Sequence, residues 1–546
     1  STLSLIRPIY RRNFARPNAV RFLRSLALTW IHIEHVWMMK SLFVFLLGVL
    51  LGVCMLPYLL FQQKDMPAGT NLESPDFVAP NAELLIDRSL WNASEGRRVL
   101  QHEIFDTILA EIRAAETFII ADFFLWNPWT GKLGDDYLRS LSEELAGALI
   151  AKKMANPNLP ILVLTDPINR IYGSHAPAFF YRMAAAGIPV VFTGLSQLPD
   201  SNRLYAPQLD FWGRFFSTDA AWTRLPLLPN LLNSDGARIS VVELSRLLYF
   251  KSNHRKVLIA GRGDGSHRLI VGSLNPADGS ANHSNLALRV SGRVAHFAAD
   301  SELQIASWSA QTAQNVLSGD SDTVHATLDL IRRQISDNFT DLESAPNSMQ
   351  VAWRSEGAIQ RELVSLLGTA GAGTQVDIAV FYFSDRMIVN SLKAAIQRGA
   401  TVRILLDANR DAFGHTKSGI PNRIVAAELM ELAESHAVEV RWAATQGEQY
   451  HAKAMRMRGG ESDVLMLGSA NWTRRNLANL NLEANLRIQN AGLVGQQFDR
   501  YFNAIWNNEG AFISSLPYSE WAKDGWRLKW QRWLYLFQEW SGVSTF

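Results

Sequence analysis

NHRK at residues 253–256 and YHAK at residues 450–453 decide the fold, because each string is completed by a second one at matching distance. GSLN follows the first at residues 272–275, and GSAN follows the second at residues 468–471. The spacing from His to Asn is 21 residues in the first copy and 20 in the second. Two copies with the same partner string predict an internal duplication, in which each half carries half of a catalytic site.

The residue types suit attack on a phosphodiester. Residues i and i+2 of a strand point to one face, so His254 projects with Lys256, and His451 with Lys453. A histidine can act as a nucleophile or as a proton donor near neutral pH. A lysine binds phosphate oxygens and neutralises the charge that grows in the transition state.

The Gly-Ser-x-Asn strings add polar groups. Ser273 and Ser469 would supply hydroxyls, and Asn275 and Asn471 would supply amides. The preceding glycine allows close approach of the backbone to a ligand. Two copies facing each other across a pseudo-two-fold axis would give one pocket with paired His, Lys and Asn side chains.

These strings resemble the duplicated signature of the phospholipase D superfamily, His-x-Lys-x4-Asp followed by Gly-Gly/Ser-x-Asn, from about Glu83 to about Asn508. The resemblance implies a two-step reaction that requires no metal and no other cofactor. One histidine attacks phosphorus and forms a phosphohistidine. The other protonates the leaving alcohol, then activates water or an acceptor alcohol. By analogy with bacterial members, His254 would be the nucleophile and His451 the acid and base, although sequence alone does not fix that order.

The chain departs from the family pattern at the motif aspartate. That position holds Gly261 in the first copy and Arg458 in the second. Glu483 stands where some family members carry a carboxylate that orients a histidine, and Ala287 is its expected counterpart in the first copy. We expect an active enzyme because His, Lys, Ser and Asn occur in both halves. A catalytically degenerate member is the alternative.

Length and composition exclude several classes of protein. A chain of 546 residues exceeds one ordinary domain, which fits two fused halves plus extra segments. The net charge of +2 gives no general preference for polyanions, so no nucleic-acid partner is expected. One cysteine, Cys54, excludes a disulfide framework within the chain. The remaining histidines lack metal-ligand spacing.

Residues 41–61 are uncharged and nearly all apolar, which predicts a transmembrane helix. The preceding residues 1–40 are strongly basic, so the positive-inside rule puts them in the cytoplasm. The catalytic part would then face the periplasm or a lumen, most simply at a bacterial inner membrane. We interpret residues 20–39 as a separate interfacial amphipathic helix rather than a second span.

Strands and helices recur in the same order in both halves, which predicts an α/β fold of two fused phospholipase D-like α/β/α sandwich halves with pseudo-two-fold symmetry, plus the N-terminal transmembrane helix. The predicted organisation is a basic N-terminal segment (1–40), the span (41–61), a linker (62–82), a first half (83–340), a second half (345–510) and a Trp-rich amphipathic C-terminal segment (511–546).

The first half contains an apolar insertion at about 196–250 that the second half lacks. Phe215 and Trp222 in this insertion are candidate substrate-binding residues, because an apolar segment beside a phosphodiester site could contact acyl chains. A lid that packs on the sheet as ordinary core is the alternative. Trp472, next to Asn471, either bounds the pocket or packs beneath it.

Aromatic residues recur along one face of a C-terminal helix at Trp526, Trp530, Trp533, Phe537 and Trp540. Such a stripe suits the membrane interface. Docking of the helix on the protein through these rings and a dimer contact are the alternatives.

These observations predict a membrane-anchored phosphodiesterase or phosphatidyltransferase that acts on phospholipid headgroups, as a phospholipase D or a cardiolipin synthase-like enzyme. A family nuclease with one span and a catalytically degenerate subunit of a membrane complex are the alternatives. The expected partners are the phospholipid substrate and the membrane, with a homodimer or a membrane-complex partner possible.

Overall fold

A computed structural model of the chain describes residues 17–79, 81–92, 94–130, 138–173, 175–213, 225–230, 237–317, 320–336, 348–409, 411–412, 415–460, 462–510, 512–522 and 525–543. These residues divide into two compact units. One unit contains the N-terminal helix and residues 207–213, and the second contains both sheets.

Helix α1 spans Pro17–Leu60, and its segment Trp37–Leu60 is long and apolar enough to cross a membrane, with a mean hydropathy of 2.5. This segment starts four residues before the predicted span. The prediction of a separate helix at residues 20–39 is wrong, because the backbone continues as one helix through them. No proline or glycine lies between residues 18 and 47 to interrupt the hydrogen-bond ladder.

The strands of the first half, with one short strand before them, are β1 (Phe77–Val78), β2 (Glu83–Asn92), β3 (Arg97–His102), β4 (Ile119–Phe123), β5 (Ile161–Thr165), β6 (Val190–Phe192), β7 (Lys256–Gly261), β8 (His267–Gly272) and β9 (Asn285–Ser291). The helices are α2 (Glu103–Ala114), α3 (Leu141–Ala155), α4 (Ala178–Ala185), α5 (Ala206–Gly213), α6 (Val241–Leu248), α7 (Arg293–Ala310) and α8 (Ser321–Ser336).

The strands of the second half are β10 (Gln350–Ser355), β11 (Gln375–Val380), β12 (Thr401–Leu406), β13 (Asp411–Ala412), β14 (His415–Thr416), β15 (Val438–Ala443), β16 (Lys453–Gly459), β17 (Ser462–Gly468), β18 (Ala484–Gln489) and β19 (Ser515–Pro517). The helices are α9 (Gly357–Thr369), α10 (Arg386–Gln397), α11 (Asn422–Met430), α12 (Arg474–Leu477), α13 (Gly492–Trp506) and α14 (Gly525–Ser541).

The two large sheets share one strand order. Over the described residues, the first runs β3-β2-β9-β8-β7-β4-β5-β6 and the second β1-β10-β18-β17-β16-β11-β12-β15-β19. In each, a hairpin that begins at the motif lysine, β7–β8 or β16–β17, pairs with the first strand of a parallel set. The predicted duplication and mixed α/β class are therefore confirmed by topology as well as by motif.

The sheets are covered on both faces, which explains why their central strands are buried throughout. In β4, Ile120 faces a core shared with the second half, whereas Ile119 and Ala121 face helices of their own half. In β11, Ala379 faces the same shared core and Ile378 faces outward. The two halves thus pack through one continuous apolar layer.

Strands β4, β5 and β6 precede the motif histidine in the first half, and β11, β12 and β15 precede it in the second. The glycine-rich residues 261–265 form the hairpin turn between β7 and β8. Most of the aromatic part of the insertion lies outside the described residues. The domain boundaries given above stay a prediction.

The C-terminal helix does not dock through its tryptophans, so that alternative is wrong. Trp526, Trp530, Trp533 and Trp540 are exposed, while Tyr535 and Glu539 are buried against the second half. Tyr535 and Glu539 lie on the opposite side of the helix from the tryptophans at 100° per residue.

Candidate active site

Each half positions the histidine of the other through reciprocal backbone hydrogen bonds. His254 N–H donates to the Leu482 carbonyl (2.9 Å), and Leu482 N–H donates to the Ser252 carbonyl (3.0 Å). In the mirror arrangement, His451 N–H donates to the Ser284 carbonyl (2.8 Å). Both bridges are parallel and join a pre-motif loop of one half to the loop before β9 or β18 of the other. The two motifs therefore meet where the halves join.

Two aspartates at the carboxyl ends of parallel strands fix the residues before the histidines. Asp166 follows β5 and accepts from Asn253 N–H at 2.7 Å, and Asp407 follows β12 and accepts from Tyr450 N–H at 2.9 Å. Burial raises the pKa of each carboxyl to about 7. The sequence analysis missed both residues, although their equivalent places in the repeat were visible.

The side chains that orient the imidazoles differ between the halves. His254 Nδ1 lies 2.7 Å from Glu483 Oε1, whereas His451 Nδ1 lies 3.2 Å from Asn285 Oδ1. We call the group around His254 and Glu483 the His254 half-site, and the group around His451 and Asn285 the His451 half-site. The prediction that Ala287 is the counterpart of Glu483 is wrong, because Asn285 takes that place. The loop after Gly-Ser-x-Asn is two residues longer in the second copy, so equal counting from the motif overshoots Asn285.

The motif serines support the orienting side chains. Ser469 Oγ donates to Glu483 Oε2 and accepts from Ala484 N–H at 2.9 Å. Ser273 Oγ donates to Asn285 Oδ1 at 3.2 Å. Both hydroxyls are buried beside the histidines' partners. Their contacts give them a role in holding Glu483 and Asn285.

The motif lysines are held alike in both halves. Lys256 Nζ donates to the His254 carbonyl at 2.6 Å and lies 4.9 Å from the centre of the Phe124 ring. Lys453 Nζ donates to the His451 carbonyl at 2.7 Å and lies 5.2 Å from the centre of the Phe381 ring. An ammonium has three hydrogens, so each lysine keeps donors beyond the one used for this carbonyl.

The motif asparagines lie near this centre. Asn275 Oδ1 accepts from Leu125 N–H at 3.4 Å, and Asn471 Oδ1 is buried without a hydrogen-bond donor among the described residues. The substrate-binding role predicted for Trp472 is not supported, because its ring is 1% exposed and packs edge-on against Phe383. Phe215 and Trp222 lie outside the described residues.

Burial sets the protonation of the histidines. Burial, with the charges of Lys256 and Lys453, lowers the pKa of His254 to about 4 against the opposing effect of Glu483. Burial, followed by the charge of Lys453, lowers the pKa of His451 well below its usual range. The charges of Lys256 and His254 also act on His451, so the two half-sites share one electrostatic environment. Both imidazoles are neutral near pH 7.

The lysines titrate in the same environment. Burial lowers the pKa of Lys256 to about 7, although Glu483, Asp122 and Asp166 oppose the shift. Burial also lowers the pKa of Lys453 well below its usual range. A phosphate anion entering here would restore positive charge on both ammonium groups, because an opposite charge favours the charged form.

A buried charged network lies behind the His254 half-site. Arg255, between the motif His and Lys, pairs with Glu356 at 2.7 Å and with Glu302 at 3.0 Å. Glu356 Oε1 also accepts from Glu483 N–H at 2.9 Å. Asp122 binds the Asn253 amide at 2.8 Å and shares a hydrogen bond with Glu302, and burial raises the pKa of both carboxyls. This network connects the loop that carries His254 to the backbone of Glu483.

Two of the charged positions in this network have uncharged counterparts behind the His451 half-site. Ala452 replaces Arg255, and Ala379 replaces Asp122 in the same strand register. Tyr501 and Tyr450 fill the remaining space and join through their hydroxyls at 2.9 Å.

The positions of the missing motif aspartates lie away from the histidines. Gly261 and Arg458 are each five residues along the strand from the motif lysine, a distance of about 16 Å. A Cβ at Gly261 would lie 2.0 Å from Thr117 Oγ1, so an aspartate does not fit there. Arg458 pairs with Asp377 at 2.7 Å and with Asp499 at 2.8 Å. Both histidines have orienting partners without the motif aspartate.

The assembled groups can perform acid, base and nucleophilic chemistry on an anion. They offer two neutral imidazoles, two ammonium groups, and amides on a common centre. Within the described residues, no cluster of three or more His, Cys, Asp or Glu side chains has the geometry to hold a metal ion.

Comparison with protein families gives a match in the second half. Residues 363–506 match the family model described as cardiolipin synthase, PLD-like domain. A comparison with curated protein sequences finds no match to this chain.

Comparison with solved structures extends the likeness to both halves. The chain is similar to the phosphatidylserine synthase of Haemophilus influenzae Rd KW20, with 13% identity, a TM-score of 0.50, and coverage of 87% of this chain and 96% of that one. It also matches Nuc, a phospholipase D family member from Salmonella typhimurium, with 20% identity, a TM-score of 0.23, and coverage of 29% of this chain and 95% of that one. At these identities the likeness shows the fold alone.

Proposed function

We propose that the chain is a phospholipase D-like enzyme, a membrane-anchored phosphodiesterase or phosphatidyltransferase that acts on phospholipid headgroups through a phosphohistidine; the family match in the second half and the likeness of fold over both halves support this. The observation that carries the proposal is that each half orients the histidine of the other. Glu483 of the second half contacts His254, and Asn285 of the first half contacts His451. This exchange gives one centre with two unlike histidines, as a two-step displacement requires.

In the first step, His254 is the nucleophile. Its Nδ1–H donates to Glu483 Oε1, which leaves the Nε2 lone pair free to attack phosphorus. The N–P bond forms as the bond from phosphorus to the leaving alcohol breaks. Positive charge then develops on the imidazole, and a carboxylate stabilises that charge better than the Asn285 amide would. This difference assigns the nucleophile to the His254 half-site.

His451 is the acid and then the base. An approaching phosphodiester anion favours the charged form of the imidazole and offsets the effect of Lys256 and Lys453, so the pKa of His451 rises. The protonated ring donates its proton to the leaving alcohol oxygen. It then accepts a proton from water or an acceptor alcohol, whose oxygen attacks phosphorus and displaces His254. Water yields phosphatidic acid, and an alcohol yields a new phosphodiester.

The membrane anchor is part of the proposal. Trp37–Leu60 would span the bilayer, with the basic residues before it in the cytoplasm and the catalytic unit on the periplasmic or lumenal side. The lipid substrate would then lie in the same membrane that holds the enzyme.

Turnover of lipid by purified full-length protein tests the proposal. In detergent micelles with a chelator, wild type should release headgroup from phosphatidylglycerol or phosphatidylethanolamine. His254→Ala should lower turnover by about 10⁴-fold or more, while His325→Ala, an exposed histidine on α8, should leave it unchanged. In His451→Ala, lipid labelled at phosphorus should leave the label on His254.

Two results would contradict the proposal. Turnover of single-stranded DNA without turnover of lipid would indicate a nuclease. No turnover of either substrate, with wild type equal to both histidine variants, would indicate a non-catalytic subunit.

A further inference from the structure

Helix α14 carries a row of exposed aromatic rings. Trp526 is 73% exposed, Trp530 57%, and Trp533 and Trp540 55% each. The rings of Trp530 and Trp533 stack at 5.1 Å, and Phe537 continues the row 5.7 Å beyond Trp533. An exposed apolar surface of this kind usually marks an interaction site. We call it the Trp face.

The opposite side of α14 is fixed to the catalytic unit. Tyr535 donates its hydroxyl to the Ser384 carbonyl at 2.6 Å, and Glu539 accepts from the Ser384 hydroxyl. At the end of the helix, Arg203 N–H donates to the Ser541 carbonyl at 2.8 Å. The Trp face is therefore held outward, and it is not a loose tail.

The same loop that binds the end of α14 also binds the chain just after α1. Gln63 donates to the Asp200 carbonyl at 3.2 Å, and Lys64 donates to the Ser196 carbonyl at 2.8 Å. Gln63 is three residues beyond Leu60, so chain continuity keeps it within about 10 Å of the last residue of α1. The end of α14 is thus attached close to where the chain leaves its apolar helix.

The composition of the Trp face favours one occupant. Helical geometry places Lys529 on one side of the tryptophan row and Arg527 on the other, and both are exposed. Tryptophan prefers the interface of a bilayer, and flanking cations reach the phosphates of anionic lipids. A second copy of the helix would bring like charges together, which opposes dimerisation through this surface.

We propose that the Trp face of α14 inserts into the interface of an anionic phospholipid bilayer and holds the catalytic unit against the membrane surface beside the anchor. This inference rests on the proposed function, because it takes α1 as the membrane anchor and lipid as the substrate. It adds a second, independent contact with the membrane.

Lipid quenching of a fluorescent probe tests the contact directly. The full chain carrying Cys54→Ala receives one new cysteine for the probe, either Trp533→Cys or Met154→Cys as a matched control, since Met154 is 73% exposed on α3. The protein is reconstituted in vesicles of phosphatidylcholine and phosphatidylglycerol with bromine near the headgroup end of the acyl chains. The probe at position 533 should be quenched several-fold more than the probe at position 154.

Equal quenching at the two positions would overturn the proposal. So would a probe at position 533 that is shielded from water without quenching and lies close to its copy in another molecule, because that result indicates a dimer. Neither readout needs catalysis, so this test can succeed even where the proposed reaction fails.

Catalytic activity provides a second test of the proposal. Replacing Trp526, Trp530, Trp533 and Trp540 together by Gln should lower turnover of lipid in vesicles about tenfold, because less of the catalytic unit is held at the interface. Turnover of the same lipid dissolved in detergent micelles should change less than about twofold, since micelles bring lipid to the site without docking. An equal loss in both would mean that the tryptophans only stabilise the fold, and would overturn the proposal.

Discussion

The His254 and His451 half-sites share a backbone but differ in charge. Each histidine is bound by the other half, precedes a lysine on an equivalent strand and packs on a phenylalanine. Behind His254 lie Glu483 and the Arg255 network, whereas Asn285 and a pair of tyrosines lie behind His451. The two half-sites thus share one geometry and differ in the charge of side chains at matched positions.

The largest effect on kcat is expected from replacing the carboxylate of Glu483. Glu483→Gln should lower kcat about a thousandfold, because an amide stabilises the charge on a phosphorylated imidazole poorly. Asn285→Ala should lower kcat by only about tenfold, since it removes a neutral contact. Steady-state turnover of lipid in micelles measures both. Equal losses would mean that the difference between the half-sites has no catalytic meaning.

The Arg255 network should contribute more to stability than the tyrosine pair behind His451. Arg255→Met leaves Glu302 and Glu356 buried without their cation, which should lower the free energy of unfolding by about 3–5 kcal/mol. Tyr501→Phe removes one neutral hydrogen bond behind His451 and should cost about 1 kcal/mol. Urea unfolding of the full chain in micelles compares them. A larger loss for Tyr501→Phe would contradict the comparison.

The dependence of kcat/KM on pH should reflect the titration of Lys256. Lys256 has a pKa of about 7, so its charge is present below pH 7 and is lost as the pH rises through that value. We expect kcat/KM to fall about tenfold per pH unit at alkaline pH. Lys256→Arg should move this fall to higher pH, because arginine keeps its charge. A fall that moves in Lys453→Arg instead would assign it to the other half-site.

The smallest effect on kcat is expected from replacing Arg458, which stands at the position of the motif aspartate. Arg458 pairs with two aspartates at the far end of β16 and is partly exposed. Arg458→Gln should change kcat less than about twofold and lower the free energy of unfolding by less than about 1 kcal/mol. Turnover and urea unfolding check this. A loss of activity comparable to that of Glu483→Gln would show that this motif position supports catalysis despite its distance from the histidines.

Much of the fold followed from the sequence, because the repeated strings fix topology. The motif lysine begins a hairpin, and the order of buried strands before it was readable from apolar runs. The orienting residues were harder to find. Glu483 was predicted because it stands where some members of the similar family carry an orienting carboxylate, whereas Asn285 was missed because a loop two residues shorter shifts the register.

The ion network was beyond sequence reasoning for a different reason. Arg255, Glu302 and Glu356 are far apart in the chain, and charged residues usually lie in solvent, so no local pattern predicts that they pair. The same limit applies to α14. Its aromatic spacing predicted one face, but spacing cannot say whether that face packs inward or points outward.

The exchange of partners between the halves has a consequence for synthesis of the protein. His254 is separated from Glu483 by 229 residues, which a ribosome adds in roughly 10–50 seconds at about 5–20 residues per second. During that time the emerging first half holds a histidine without its carboxylate and a loop without its backbone partner. The His254 half-site is therefore completed only after Glu483 has been added to the chain.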